Sequence, residues 1–251
     1  MSAPRQAKYW LTTLACLLLL ALFAVAAQAQ TPITSCGTVI DTAGRYYLAN
    51  DLNCQSGDAV IEITHGNVQV DFRGHQISGP GDQSRTGGIW VRDSVEGNVV
   101  LLGPGTIRNM VVGVRISSRG EAMLSRLTCT ADGNGFVIDS DVIVTARANN
   151  ASQNKFSGIL VSGHDGEIGG NTTIGNGYDG MIIGGSRNHI DHTNIASFNR
   201  MRGIQVQGRG NVIDHNTAQS NGQFDLFDRH ETCENLWQNN TFGRANLPCI
   251  H

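Results

Sequence analysis

The sequence predicts an all-β fold made of stacked coils of about 22–23 residues each. The 251 residues include 31 glycines and 21 asparagines, both common in turns, and show no long amphipathic helix. A short apolar strand led by glycine recurs at intervals of 25, 22, 23, 22 and 23 residues. Asparagines recur at intervals of 22 or 23 residues, in step with these strands. Several short strands in a repeat of this length are typical of a parallel β-helix.

The repeated strands set the expected coil. They begin at Gly88, Gly113, Gly135, Gly158, Gly180 and Gly203, and a second strand recurs at Ile168, Ile190 and Ile213. Because side chains alternate along a strand, Ile89/Val91, Ile159/Val161 and Ile204/Val206 should face inward. We expect roughly three strands per coil and nine or ten coils, stacked at about 4.8 Å. Glycine is expected to supply the turns with positive φ.

The recurring asparagines predict two hydrogen-bonded ladders of side chains. One ladder contains Asn149, Asn171, Asn194 and Asn216, and the other contains Asn154, Asn176, Asn199 and Asn221. Stacked amides can hydrogen-bond from coil to coil. The segment from Cys129 to Asn134 is similar to Asn149 to Asn154, so Cys129 is expected at an asparagine position, as a buried free thiol.

The N-terminus resembles a secretory signal peptide. Arg5 and Lys8 precede an apolar run, Leu14–Ala27, and a small-residue cleavage site ends at Ala29. The predicted organisation is a signal peptide over 1–29 and one β-helix domain over 30–251, secreted or periplasmic, with no membrane span after cleavage. Residues 30–251 carry 16 basic and 21 acidic side chains, a formal charge of −5, which argues against nucleic acid as a partner.

Three segments resemble a known family. They are Ser35 to Cys54, the stretch Val70–Gly79 (VDFRGHQISG), and Asp225 to Cys249 with its Asn239-Asn240-Thr241-Phe242 element. They are similar to secreted right-handed parallel β-helix proteins, the pectate-lyase-like and NosD-like group. The resemblance implies a right-handed helix. Function does not follow from it, because this group mixes enzymes with proteins of no known activity.

Four of the five cysteines beyond residue 29 lie near the predicted ends of the solenoid. Cys36 and Cys54 are 18 residues apart, and Cys233 and Cys249 are 16 apart. The ends are where strand edges and core would otherwise be exposed. We expect Cys36–Cys54 and Cys233–Cys249 disulfides, each worth about 3 kcal/mol in the chain-entropy description, in an oxidising compartment.

The best candidate site is a pair of acid–histidine dipeptides one coil apart. Asp191-His192 and Asp214-His215 should stack, so that the two carboxylates share a proton, bind a cation such as calcium, or lie exposed. Arg187 and Arg209 precede them by one strand and could bind uronate carboxylates. These six residues are the candidate catalytic set, and Asp191 and Asp214 are the candidate metal ligands. A solvated outer face with histidines at a turn is the competing interpretation.

Two further surfaces stand out. Alternation would place Asp71, Arg73 and His75 on one strand face. The middle residues of four strands should point outward, as a sugar-stacking platform, a face covered by a loop, or a packing face: Trp90, Leu160, Ile182 and Phe227.

The leading functional hypothesis is an exported β-helix protein that contacts or binds polysaccharide. Complete catalytic motifs of pectate lyases, polygalacturonases and alginate epimerases are absent from the sequence, and Tyr178-Asp179-Gly180 is only a fragment of the last. The first alternative is a lyase or epimerase acting on uronic polysaccharides. The second is a structural or metal-handling solenoid of the NosD type, in which His192 and His215 would supply the ligands.

Overall fold

The protein is a right-handed parallel β-helix of about nine turns. The structure, a computed structural model, describes residues 29–139 and 142–251, and Thr31–His251 forms one compact unit. The predicted signal peptide, apart from Ala29, lies outside the described residues. Within them, no helix is long and apolar enough to cross a membrane.

Within the described residues, twenty-six strands form two parallel sheets. The nine-stranded sheet contains β2 (Thr38–Ile40), β5 (Ala59–Ile63), β8 (Gly87–Val91), β10 (Val112–Ile116), β12 (Asn134–Ile138), β15 (Ile159–Val161), β18 (Met181–Ile183), β21 (Arg202–Val206) and β24 (Phe224–Asp228). The seventeen-stranded sheet contains β1 (Gln30–Ile33), β3 (Gly44–Leu48), β4 (Leu52–Asn53), β6 (Val68–Asp71), β7 (Gln76–Ser78), β9 (Val99–Arg108), β11 (Gly120–Thr130), β13 (Val142–Arg147), β14 (Asn150–Ser152), β16 (Glu167–Gly169), β17 (Thr172–Ile174), β19 (His189–Asp191), β20 (Ile195–Ser197), β22 (Val212–Asp214), β23 (Thr217–Ala218), β25 (Leu236–Gln238) and β26 (Thr241–Phe242).

The predicted register of the coils is confirmed. In the nine-stranded sheet Ile159 pairs with Met181, which pairs in turn with Ile204. In the larger sheet Ile168, Ile190 and Ile213 are successive partners. The residues predicted to face inward are buried and belong to one continuous core. Equivalent apolar residues of neighbouring coils therefore lie on one another along the axis.

The glycine column has a different role from the expected one. The leading glycines of the repeated strands do not have positive φ. Positive φ occurs instead at other glycines, such as Gly170 (65°), and at non-glycine residues, such as Ala148 (55°) and His215 (54°). The leading glycines are required because neighbouring coils approach closely. A Cβ at Gly88 would lie 2.3 Å from the carbonyl oxygen of Gly113, and one at Gly203 would lie 2.5 Å from that of Asp225. Larger side chains would force the coils apart.

Both asparagine ladders are present. The Asn194 amide donates to Asn216 Oδ1 at 2.8 Å and to the carbonyl oxygen of Ile168 at 2.8 Å, and the Asn199 amide donates to Asn221 Oδ1 at 3.0 Å. All four asparagines are buried. A third ladder, absent from the sequence prediction, contains Asn188, Asn211 and Asn235. Each ladder pairs backbone groups at a corner where strand hydrogen bonding stops.

Cys129 is a buried free thiol, as expected, but its predicted ladder position is wrong. Cys129 pairs in register with Ala151, and its side chain faces the core. Leu127 lies opposite Asn149, so the sequence alignment was shifted by two residues. Asp132 takes the ladder position instead: its N–H donates to Asn154 Oδ1 at 3.1 Å.

Disulfides close the two ends of the described domain. Cys36 bonds to Cys54 and Cys233 bonds to Cys249, with Cα–Cα distances of 5.8 and 6.2 Å. Both pairs are those expected from the spacing of the cysteines. Each links a terminal coil to a segment that lacks a further coil to pack on, which limits fraying of the open edge.

The expected strand face of Asp71, Arg73 and His75 is wrong. Strand β6 ends at Asp71, and Arg73 turns the chain with φ of 51°. The Asp71 carboxylate accepts the N–H of Arg73 at 3.0 Å, and His75 Nδ1 lies 3.0 Å from Asp51 Oδ1. These polar groups stabilise a turn between coils.

Candidate functional site

The two predicted acid–histidine dipeptides lie on successive coils in the expected register. Ile190 pairs with Ile213, and the next residues, Asp191 and Asp214, end strands β19 and β22. His192 and His215 follow at left-handed turn positions, with φ of 53° and 54°. The strand ends thus position each carboxylate beside its own histidine.

Each carboxylate is already engaged by polar neighbours. Asp191 Oδ1 contacts His192 Nδ1, and its Oδ2 lies 3.4 Å from His189 Nδ1. Asp214 Oδ1 lies 2.7 Å from His215 Nδ1 and accepts the Asn239 amide at 3.1 Å. Burial by itself raises the pKa of Asp214, but the hydrogen bonds from Asn239 and His215 outweigh it and lower that pKa. Of the three alternatives for the two carboxylates, this lowered pKa does not support a shared proton at Asp214.

The same contacts affect whether calcium can bind at Asp191 and Asp214. A tight calcium site takes about six to eight oxygen ligands. The described residues contain no group of three or more His, Cys, Asp or Glu side chains placed to hold a metal ion. Asp191 and Asp214 alone supply too few oxygens for such a site, and at least one oxygen of each already contacts a histidine nitrogen. Calcium binding here stays a prediction that requires oxygens from a ligand or from water.

The two candidate arginines point to other partners. Arg187 donates two hydrogen bonds to Asp165, at 2.7 and 2.8 Å, and this contact is the main cause that lowers the pKa of Asp165 to about 2. Arg209 Nε lies 3.0 Å from Glu234. Both arginines lie at the turn before the strand that ends in the acid–histidine dipeptide. They form inter-coil ion pairs there, apart from the Asp191 and Asp214 carboxylates.

A better-formed candidate site lies on the outer surface of the nine-stranded sheet. Trp90 on β8 pairs with Arg115 on β10, and Arg115 pairs with Val137 on β12. Two residues beyond this row come Arg92, Ser117 and Asp139. We call the surface the outer groove; it encloses about 320 Å³ and is lined by Trp90, Val91, Arg92, Asp93, Arg115, Ser117 and Asp139.

Polar contacts between coils shape the outer groove. Ser117 Oγ donates to Asp139 Oδ2 at 2.5 Å, and Arg115 Nη2 donates to the same oxygen at 3.3 Å. Arg92 Nε donates to Glu62 at 2.6 Å, which is the main cause that raises the pKa of Arg92. The Arg92 guanidinium also lies 5.3 Å from the centre of the Trp90 ring. The groove therefore presents an aromatic ring with hydrogen-bond donors and acceptors on three successive coils.

The groove continues into a second hollow. About 280 Å³ is enclosed by Asp93, Ser94, Ser117 and Arg119, and two of these residues also line the outer groove. The sequence indicated the outward direction of Trp90 but not its polar neighbours. Arg92, Ser117 and Asp139 share the repeat spacing, so the same alignment of coils would have found them.

Comparisons with known proteins support the fold. No family model matches the sequence, and no curated protein matches it. Among solved structures, the chain is similar to a crystal structure of a mutant of the periplasmic alginate epimerase AlgG. The two are 12% identical with a TM-score of 0.50, and the alignment covers 90% of this chain and 77% of that one. At this identity the likeness shows a shared parallel β-helix architecture.

Proposed function

We propose that the protein is an exported β-helix protein that binds polysaccharide in the outer groove. The observation that carries the proposal is the combination, in one open groove, of the Trp90 ring with the Arg115, Ser117 and Asp139 side chains. Sugar rings have apolar C–H faces, which pack on aromatic rings, and hydroxyls, which bond to charged and hydroxyl side chains. A groove across stacked coils also suits a chain-like ligand.

Two other observations support this function. The two disulfides fit an oxidising compartment outside the cytoplasm. The similar solved structure carries the name of a periplasmic alginate epimerase, which favours polysaccharide as the ligand class. Binding is favoured over lyase or epimerase chemistry because the candidate acids and arginines already hold one another or histidines, as with Arg187 and Asp165.

Tryptophan emission provides a direct test. Trp237 is fully buried, so Trp90 is the tryptophan among the described residues that a ligand can reach. Protein lacking residues 1–29 would be titrated with polygalacturonate, alginate and a neutral glucan, and Trp90 emission followed. We expect at least one polymer to shift the emission, and Trp90→Phe to remove that shift. If none of the polymers changes emission or binds by calorimetry, the proposed function is wrong.

A matched pair of double variants tests the place of binding. Arg115→Ala with Asp139→Ala removes an inter-coil ion pair inside the groove, and Arg187→Ala with Asp165→Ala removes one outside it. We expect the first to weaken binding about tenfold or more and the second to leave it unchanged. Equal affinity in both double variants would show that the polymer binds elsewhere. Release of unsaturated sugar ends in the same titrations would instead favour the lyase alternative.

A further inference from the structure

A further hollow, apart from the outer groove, lies at the corner through which the chain enters the later strands of the nine-stranded sheet. Phe156, Tyr178, Met201 and Gln223 precede β15, β18, β21 and β24 and follow one another from coil to coil. The N–H of Tyr178 donates to the carbonyl oxygen of Phe156 at 2.9 Å, and the N–H of Met201 donates to that of Tyr178 at 3.0 Å. We call Phe156, Tyr178, Arg200, Met201 and Gln223 the aromatic corner.

Two aromatic rings of the corner face solvent. Phe156 and Tyr178 are 39% and 47% exposed, and their ring centres lie 5.6 Å apart. Both rings are far more exposed than Phe72 and Phe136, which are buried in the core. The two ring planes are tilted by 59°, so each ring offers its own apolar surface to a ligand.

Beside these rings, glycine flanks Arg200 on the coils before and after it, where neighbouring backbones approach closely. The column that contains Arg200 has Gly177 on the coil before it and Gly222 on the coil after it. A Cβ at Gly177 would lie 2.0 Å from the carbonyl oxygen of Lys155, and one at Gly222 would lie 2.0 Å from that of Arg200. A hollow of about 320 Å³ lies here, lined by Gly177, Tyr178, Arg200, Met201 and Gln223.

The charge of the corner is not balanced. Two nearby basic side chains have acidic partners. Lys155 Nζ lies 2.8 Å from Asp82 Oδ2, and Arg202 Nη1 lies 3.7 Å from Oδ2 of buried Asp179. Burial is the main cause that raises the pKa of Asp179, and Arg202 opposes that rise. Arg200 is exposed and forms no ion pair with any residue in the described ranges. The exposed Arg200 side chain lines the same hollow as Tyr178.

We propose that the aromatic corner binds an anionic sugar residue. Its ring packs on Tyr178, its acidic group is held by Arg200, and Gln223 bonds to its hydroxyls. Guanidinium groups hold carboxylates or sulfates through two parallel hydrogen bonds, while an apolar protein surface would bury the Arg200 charge without a partner. This inference rests on the proposed polysaccharide binding, to which it adds the ligand class and a second contact site.

The test uses short anionic sugars and conservative variants. Trigalacturonate, a sulfated trisaccharide and maltotriose would be titrated calorimetrically into protein lacking residues 1–29. We expect one of the two anionic sugars to bind at least tenfold more tightly than maltotriose. Arg200→Gln should weaken that binding about tenfold or more, and Tyr178→Leu should weaken it severalfold. Arg126→Gln, at an exposed irregularity within β11 of another coil, is the matched control and should change nothing.

The outcomes separate this inference from the proposed function. If Arg200→Gln and Arg126→Gln bind the anionic sugar as tightly as the parent, the corner does not bind it, whatever the outer groove does. Failure of all three sugars to bind the parent also overturns the inference. If the Arg115/Asp139 double variant loses polymer binding while Arg200→Gln still binds the polymer, binding in the outer groove is supported and binding at the aromatic corner is refuted. Circular dichroism and melting curves confirm that each variant is folded.

Discussion

The backbone N–H of Asp132 donates to Oδ1 of Asn154 at 3.1 Å, so a carboxylic acid occupies a position that asparagine holds on the next four coils. Asp132 is fully buried, and its Oδ1 accepts the N–H of Met110 at 2.8 Å. Its Oδ2 has no hydrogen-bond partner among the described residues. Burial raises the pKa of this carboxyl to about 8.

Asp132→Asn should stabilise the protein increasingly as the pH rises. The carboxyl pKa is about 8 in the folded state and about 3.9 in the unfolded chain, so the folded state binds the extra proton between these values. Stability therefore falls as the pH rises from about 4 to about 8, by up to roughly 5 kcal/mol. An asparagine does not titrate, and its amide could bond to the preceding coil as Asn154 bonds to Cys129.

Urea unfolding of Asp132→Asn and the parent at pH 5, 6.5 and 8 measures this difference. Exposed Asp58→Asn is the control and should show the same small effect at each pH. A stability difference between Asp132→Asn and the parent that does not change with pH would contradict the buried, protonated state of Asp132.

Asn194→Leu should destabilise the fold. Asn194 donates to Ile168, Asp191 and Asn216 and accepts from Asn171, all at 2.8–3.1 Å. Leucine leaves these groups unpaired in the core, at about 1–3 kcal/mol for each buried group that is not satisfied. Thermal melting compared with exposed Asn150→Leu checks the effect. Equal melting temperatures for the two variants would refute a structural role for the ladder.

Asp225→Asn should weaken the C-terminal cap. The Asn154 ladder ends where Asn221 donates to Asp225 Oδ1 at 2.9 Å, while Oδ2 accepts the N–H groups of Gly243 and Arg244. A carboxylate accepts on both oxygens, whereas an amide would turn a donor toward donors, at a cost of about 1–3 kcal/mol.

The stability that the C-terminal cap provides should also depend on pH. Burial alone raises the pKa of Asp225, but these hydrogen bonds outweigh it and lower the pKa. Its stabilisation is therefore present above the unfolded pKa of about 4 and is lost as the pH falls through the lower folded value. Urea unfolding at pH 7 and pH 3 should show a loss for the parent that is smaller in Asp225→Asn. A loss of equal size in both proteins would count against this role.

Thiol labelling should detect one cysteine. In protein lacking residues 1–29, denatured without reductant, only Cys129 is free, since the other four are disulfide-bonded. The native protein should not react, because burial raises the pKa of the Cys129 thiol well above its usual value and blocks access. Mass spectrometry after iodoacetamide checks both statements. A disulfide-linked Cys129 peptide would show that the assignment is wrong.

Calcium should bind weakly, and only with an anionic sugar chain to complete its ligands, if the Asp191 and Asp214 prediction is correct. Asp191→Asn with Asp214→Asn should then remove any calcium dependence of polymer binding without unfolding the protein. Calorimetry with and without calcium measures the coupling. If calcium still strengthens polymer binding in this double variant, the cation binds at another site. If calcium does not change polymer binding by the parent protein, the hypothesis is wrong.

The register of the coils was predictable because each repeated residue stacks on its own equivalent. Ile159, Met181 and Ile204 recur with the period of the coil, and a shift of one residue would turn every apolar side chain outward. The role of the leading glycines was not predictable in this way. Composition favours turns, but at Gly88 the constraint is the carbonyl oxygen of the neighbouring coil.

The candidate sites, like the fold, were predictable only where they depend on the repeat period. The placement of Asp191 and Asp214 directly after the paired residues Ile190 and Ile213 depends only on the period and was predicted. Their bonds to histidines depend on left-handed turns at His192 and His215, which spacing does not reveal. The aromatic corner was missed because Phe156 and Tyr178 look like ordinary apolar residues until the hollow beside Arg200 is formed.

The sequence by itself determined the period, the core-facing residues, the two predicted asparagine ladders and the disulfide-closed ends, because each depends on spacing along the chain. Only the tertiary structure decided which charges are neutralised and which remain free. Arg187 meets Asp165 and Arg115 meets Asp139 across neighbouring coils, whereas Arg200 pairs with no acid in the part of the chain that the structure describes. Ion pairing depends on side-chain direction and separation to within about an ångström, which a repeat pattern does not specify.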